Sequence, residues 1–229
     1  MIIAVIPARI GSKRIPKKNI KFFNGRPIIS YSIEAAISSK LFDKVIVSTD
    51  DDEISEIAKH YGADVPFLRP SDLSDDFTGI KEVIRHSIKW MDDQNWKVFS
   101  ICCIYATAPL IDPADLIEAD LLFNTSQWDF VIAASAYSYP VQRSFRLQNF
   151  GGLKMLFPNN INKRSQDFET VYHDAGHFCW GNIEAWIDDR IIVSERSTIV
   201  KIPFYRGIDI DTNDDWIRAE LIYKILIDK

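Results

Sequence analysis

The alternation of short apolar runs with amphipathic stretches limits what this chain can fold into more than any other feature. Ile2 to Ile6 is continuous, apolar and largely β-branched, which marks a strand covered on both faces. KVIVS (44–48), VFSICCI (98–104) and FVIAASA (130–136) repeat that mark. Between the first two, Ile28, Ile29, Ile33, Ala36 and Ile37 recur at helical spacing over Pro27 to Ser38, with Pro27 suited to a first turn. Asp50 to Asp52 caps a helix that puts Ile54, Ile57 and Ala58 on one face. Val83, Ile84, Ile88 and Met91 share another face, and Pro113 to Phe123 reads as a further helix. Strands that alternate with helices in this way predict an α/β sandwich around a mostly parallel sheet.

The pattern breaks at Tyr137. From there to Tyr172 the text is rich in Gly, Asn, Pro and Arg with isolated aromatics, and it reads as a lobe inserted within a single domain spanning 1–229. Regularity returns at Ala175 to Trp180, Ile199 to Ile202 and Gly207 to Ile210. A closing helix from Asn213 to about Ile227 turns Trp216, Ala219, Ile222, Tyr223 and Leu226 inward. Trp90, Phe99, Phe130, Trp186 and Trp216 fall at core-facing positions, whereas Phe145 and Phe150 in the lobe are interface candidates. His60 and His86 lie on helices and carry no assigned role.

Composition narrows the function. A net charge of -5 argues against a general nucleic-acid binder. No apolar run reaches the roughly 18 residues needed to span a membrane. Met1 to Ala8 is too short for a signal-peptide core, so the expectation is a cytoplasmic protein. Three cysteines without framework spacing fit reduced thiols in that compartment.

Against this acidic background, Arg9 to Arg26 holds seven basic residues and no acidic one. The loop leaves the first strand, at the sheet edge where ligands of parallel α/β folds bind. Gly11 and Ser12 let the backbone curl into an anion nest, while Arg9, Lys13 and Lys18 supply charge. Neither GxGxxG nor GxxxxGK[ST] is present, so the loop is not a dinucleotide or P-loop fingerprint. Near the other end, GIDIDTNDDW (207–216) sets Asp209 and Asp211 two apart on an expected strand, projecting from one face. Paired carboxylates raise each other's proton affinity unless a cation lies between them, and Mg²⁺ prefers such oxygen ligands together with phosphate. Thr212, Asn213, Asp214 and Asp215 are ordinary helix-capping residues. A basic cradle with a carboxylate pair describes a site for a metal and a polyphosphate.

IPARIGSKRIPKKNI, FDKVIVSTDDDEI, FLRPSDLSDD and GIDIDTNDDW resemble the successive motifs of the CMP-sialic acid synthetase family of cytidylyltransferases, in order and over essentially the whole chain. YATAP (105–109), RSQD (164–167) and YHDAGHFCWG (172–181) are most similar to its pseudaminic acid branch. The resemblance implies a three-layer Rossmann-like nucleotidyltransferase sandwich, Mg²⁺ dependence, and transfer of CMP from CTP to a nine-carbon sugar acid with release of pyrophosphate. It implies contacts to CTP from Arg9, Ser12, Lys13, Lys18, Asn19, Arg69 and Thr78, with Asp209 and Asp211 as metal carboxylates. Arg9, Lys18, Asp209 and Asp211 are the catalytic candidates, and Asp211 is a candidate acceptor of the sugar hydroxyl's proton. Polar residues in and beside the lobe are candidates for reading the nonulosonic acid: Tyr105, Arg164, Gln166, Tyr172, His173, Asp174 and His177. The family's lobe dimerises, which implies a homodimer.

Departures from the family pattern bear on the nucleotide loop and on the sugar. Ile10 replaces a glycine of the loop, and Ile80 a serine. Tyr105 and Ile111 stand where the sialic acid branch has Gln and Arg, and His177 and Cys179 where the pseudaminic branch has Gln and Tyr. Legionaminic, N-acetylneuraminic and 3-deoxy-manno-octulosonic acids are therefore alternative acceptors. Two readings of other classes are a non-catalytic nucleotide sensor and a zinc hydrolase, the latter because His173-Asp-Ala-Gly-His177 is similar to HExxH.

Overall fold

The computed structural model describes residues 1–125 and 127–227. In chain order its main elements are β1 (Ile2–Ala8), β2 (Phe22–Phe23), β3 (Arg26–Pro27), α1 (Ile29–Ser39), β4 (Lys44–Thr49), α2 (Asp52–His60) and α3 (Ile80–Asp93). There follow β5 (Ser100–Ile104), α4 (Pro113–Thr125), β6 (Phe130–Ala136), β7 (Phe145–Leu147), β8 (Leu153–Met155), β9 (Tyr172–Asn182), α5 (Ile183–Ile187), β10 (Ser197–Ile202) and α6 (Asn213–Ile227). Six strands form the central sheet in the order β10-β6-β9-β5-β1-β4. β4, β1 and β5 run parallel, as do β6 and β10, and β9 lies antiparallel between β5 and β6. The expected α/β class and mostly parallel sheet are what the chain adopts.

Period-two alternation assigns the layers. Ala4 and Ile6 of β1 pack with Ile29, Ile33, Leu116 and Ala119 from α1 and α4. Ile3 and Val5 point the other way, to Ile84, Ile88 and Met91 of α3 and Trp186 of α5. Both faces are therefore covered, as a parallel sheet requires. A third cluster joins Trp216 and Ala219 of α6 to Ile15, Phe23, Ile28 and Ile208. It fixes the N-terminal loop and the C-terminal acidic segment against each other.

Some local expectations are corrected. Pro27 pairs with Phe22 in a two-residue ladder instead of opening the helix, and α1 begins at Ile29. Ile37 faces solvent rather than the core. Phe99 precedes β5 and is 71% exposed, because the strand starts only at Ser100. Residues 207–210 make no sheet ladder. They nevertheless keep an extended alternation, with Ile208 and Ile210 buried while Asp209 is exposed and Asp211 partly so. Asp209 and Asp211 thus share a side because burying the two isoleucines requires it.

Between β6 and β9 the chain makes an excursion through residues 137–171, mostly exposed and stiffened by the β7–β8 hairpin. Among the described residues no helix is long and apolar enough to cross a membrane. Cys102, Cys103 and Cys179 are free thiols, all buried.

Candidate active site

The carboxyl ends of β1, β4 and β5 open together on one sheet edge. β1 hands over to Arg9, β5 to Tyr105, and Arg69 N donates to Thr49 O at 2.6 Å, which draws the Arg69 segment alongside β4. Because β9 is antiparallel, its first residues lie at this same edge, with Tyr105 N bonded to His177 O at 2.9 Å. A cavity of about 520 Å³ lies here, lined by Arg9, Ser12, Lys13, Lys18, Asn19, Arg69 and Thr78 among others. Every residue expected to contact the nucleotide therefore faces one cavity.

Elsewhere in the chain the basic loop finds the acids it lacks. Arg9 donates to Asp75 O and Asp76 Oδ1, both at 2.7 Å, and Lys13 also pairs with Asp76. Lys17 pairs with Glu53, Arg26 with Glu34, and Lys21 sits over the Trp216 ring. Part of the loop's charge is thus structural. The cavity still carries an excess, with five cationic side chains (Arg9, Lys13, Arg14, Lys18 and Arg69) against the carboxylates of Asp75 and Asp76.

Second-layer bonds shape this wall. Asn19 Nδ2 donates to Arg9 O at 2.8 Å, and Lys17 adopts a left-handed φ of 51° that turns the chain into the short helix bearing Lys18. Arg69 is buried, donating to Ser48 O at 3.1 Å and Ser74 Oγ at 3.0 Å. Burial lowers its pKa, and the nearby Asp50 opposes that shift. Thr78 Oγ1 donates to Asp75 Oδ1 at 2.6 Å, so its hydroxyl is committed to a turn.

The acidic segment meets the loop directly. Lys18 Nζ lies 2.6 Å from Ile210 O and 3.4 Å from Asp211 Oδ1, and Arg14 reaches Asp211 at 2.8 Å. Asp215 is a cap: its Oδ2 accepts from Thr212 N at 2.8 Å and Asp211 N at 3.2 Å. Asp209 makes no ion pair among the described residues. Loss of water raises its pKa first, then the charge of Asp211, while Lys18 pulls it down. Two crowded oxygen donors beside a cationic loop suit a divalent ion. Among the described residues there is no cluster of three or more His, Cys, Asp or Glu that could hold a metal by itself. The zinc-hydrolase reading lacks its third ligand, and HDAGH lies on a strand rather than a helix.

The expected sugar residues separate. Tyr105 lines the cavity. Its hydroxyl pKa is pushed up by burial and by the neighbouring Asp174, whose own carboxyl is raised by loss of water. His173 lines a second cavity of about 790 Å³ at the base of the 137–171 excursion, together with Tyr137, Arg143, Phe204 and Arg218. Tyr172 is half-buried in β9 and lines neither cavity. Arg164 and Gln166 are exposed on the excursion and also line neither, Arg164 pairing locally with Asp167.

His177 requires correction. It is 1% exposed and bonded through Nε2 to Arg206 O at 2.9 Å, so it cannot touch a ligand in either cavity. Sequence reasoning passed over Gly176. β9 bulges between its pairings with Ile132 and Ala134, and Gly176 takes φ +69° there. A Cβ at Gly176 would stand 2.9 Å from Asp209 Cα. A glycine inside an otherwise strand-like run was the available signal.

Residues 3–143 match the family model described as cytidylyltransferase. The chain is 42% identical to the pseudaminic acid cytidylyltransferase of Campylobacter jejuni subsp. jejuni serotype O:2, over 97% of this chain and 96% of that one. It is 36% identical to the CMP-N,N'-diacetyllegionaminic acid synthase of Legionella pneumophila, over 98% and 97% of the two chains. The fold is similar to that of CMP:2-keto-3-deoxy-manno-octonic acid synthetase complexed with CTP, with a TM-score of 0.72 at 14% identity, covering 98% of this chain and 99% of that one. By sequence shared along nearly its whole length, this chain belongs to the cytidylyltransferase family.

Proposed function

We infer that this protein transfers CMP from CTP to a nonulosonic acid, with pseudaminic acid as the acceptor, and releases pyrophosphate. The observation that supports this reading is the meeting of Lys18 with Ile210 O and Asp211, which brings the basic loop against the segment that carries both carboxylates. The 42% identity to a pseudaminic acid cytidylyltransferase, against 36% to the legionaminic enzyme and 31% to an Escherichia coli N-acylneuraminate cytidylyltransferase, favours pseudaminic acid.

The triphosphate lies against Arg9, Lys13, Arg14 and Lys18, with loop amides, and these groups stabilise the charge that develops on the departing pyrophosphate. Binding separates the loop cations from Asp76 and Asp211, exchanging internal ion pairs for phosphate contacts. Asp209 and Asp211 would hold Mg²⁺, which when bound supplies the Lewis acidity that readies the acceptor hydroxyl for attack. Before substrate binds, Asp211 is held by Arg14 and Lys18; once those cations turn to phosphate, its carboxylate can accept the hydroxyl's proton.

The acceptor lies in the second cavity, whose wall includes Gly207, two residues before Asp209. Arg143 and Arg218 suit its carboxylate, the Tyr137 ring and Phe204 its acyl groups, and no acidic residue lines that cavity among the described residues. The exposed apolar excursion, with Phe145, Leu147, Phe150 and Leu153, forms the homodimer face. A nucleotide substrate and three reduced cysteines support work in the cytoplasm.

Incubation with CTP, Mg²⁺ and pseudaminic, legionaminic or N-acetylneuraminic acid, followed by mass analysis, tests the reading. A CMP adduct of pseudaminic acid is expected, lost in Asp211→Ala. Binding of CTP without pyrophosphate release from any acid would instead identify a nucleotide sensor.

A further inference from the structure

The segment bearing Asp209 and Asp211 has no ladder partner in the sheet, so side-chain anchors set its position. At its downstream end these anchors belong to the site itself, through Lys18 and the cap Asp215. At its upstream end the anchor is largely buried and lines neither cavity. After β10 the chain turns, Arg206 N donating to Pro203 O at 2.8 Å. The Arg206 guanidinium then enters the interior and meets Asp115, near the start of α4, through contacts of 2.5 and 2.9 Å. Asp115 is 6% exposed, so water offers neither partner an easy alternative. The Arg206 carbonyl accepts from Ile208 N at 2.9 Å and from His177 Nε2 at 2.9 Å. Among the described residues His177 Nδ1 has no partner, and Arg206 O is the ring's one hydrogen-bond partner. Gly176, the residue before it, is the wall against which Asp209 rests.

We propose that Asp115, Arg206 and His177 are positioning residues for the Asp209–Asp211 pair, a buried relay tying α4, β9 and the turn after β10 at one point. The two-pronged guanidinium contact fixes the direction of the turn. The histidine holds its carbonyl, and the bulge carries that constraint to Asp209 through Gly176. This assignment rests on the reading of the two carboxylates given above. Its consequence is that residues touching no substrate set the rate, because misplacing a catalytic group by about 1 Å costs about a hundredfold.

Asp115→Ala is a poor probe, since a guanidinium left unpaired in a largely buried place destabilises the whole protein and not the segment alone. His177→Gln retains an N–H donor, His177→Leu removes it, and Arg206→Lys keeps the charge without the two-pronged contact. In His177→Leu and Arg206→Lys, amide exchange over residues 207–212 should quicken by about tenfold or more, a local opening confined to that segment. For His177→Leu, kcat should fall by about tenfold to a hundredfold while the KM for CTP moves by less than about threefold. His177→Gln should recover most of both effects. Wild-type exchange at 207–212 in either His177→Leu or Arg206→Lys overturns the relay, as does a loss of kcat that His177→Gln fails to recover. If the unaltered protein shows no turnover, the functional reading fails, and the exchange measurement still decides the relay.

Discussion

Although Asp209 is exposed as a residue, its carboxyl carbon lies against Gly176 and near Asp211 and holds its proton to higher pH than a free carboxyl does, through partial loss of hydration and then its neighbour's charge. A carboxyl shifted this way stabilises the fold fully below its unfolded value and loses that contribution as pH rises through the folded one. In metal-free protein, Asp209→Asn should therefore melt at higher temperature than wild type near pH 7.5. The gain should vanish near pH 3.5, below the unfolded value of about 4. A variant melting at or below wild type at pH 7.5 contradicts this account. His177 shows the opposite sign. Burial depresses its pKa from 6.5 to about 4, with Asp115 opposing. The neutral ring stabilises the fold above the unfolded value, and that stability is lost as pH falls from 6.5 toward 4. His177→Gln should flatten this part of the stability profile by about 3 kcal/mol, read from urea titrations across that range. A profile as steep as wild type would show that another group governs the acid limb.

At the scale of elements, β9 organises the site. Being antiparallel amid parallel neighbours, it begins at the edge where β1, β4 and β5 end, which is how the HDAGH stretch arrives beside Tyr105 and Asp209. Its far half is packed closely. A Cβ at Gly181 would come 2.6 Å from both Phe130 Cε1 and Trp186 Nε1. Gly181→Ala should destabilise the protein by about 1–3 kcal/mol through overpacking, measured by chemical denaturation. Unchanged stability would mean that β6 and α5 can yield at this point. The strands themselves were legible from their apolar runs, and α3 from Val83, Ile84, Ile88 and Met91, all buried as the spacing predicts. The direction and place of β9 were not legible, because pairing depends on partners distant in sequence. Pro27 and Phe99 misled for a related reason: each sits just outside an element whose local pattern extends over it.

For the whole molecule, the 137–171 excursion leaves large apolar side chains in solvent, with Phe150 82% and Leu147 72% exposed. Such density on a protruding arm fits a second copy of the chain. Light scattering should report a dimer, and Leu147→Asp with Leu153→Asp should give a monomer whose central sheet is intact by circular dichroism. A doubly substituted protein that stays dimeric would move the interface elsewhere. Arg164 and Gln166, exposed on this arm and outside both cavities of their own chain, would then be tested for service to the partner's site.

The sequence by itself determined the layered α/β class, the cationic turn after the first strand and the pair Asp209 and Asp211, because these depend on local periodicity and on charges close together in the chain. Tertiary structure alone decided that Asp211 receives Arg14 and Lys18, that Asp76 and Glu53 balance part of the loop, and that His177 is buried beneath the site. Those contacts join residues far apart in sequence. They are selected by which surfaces the sheet order and the third apolar cluster bring together, and no short window of residues records that choice.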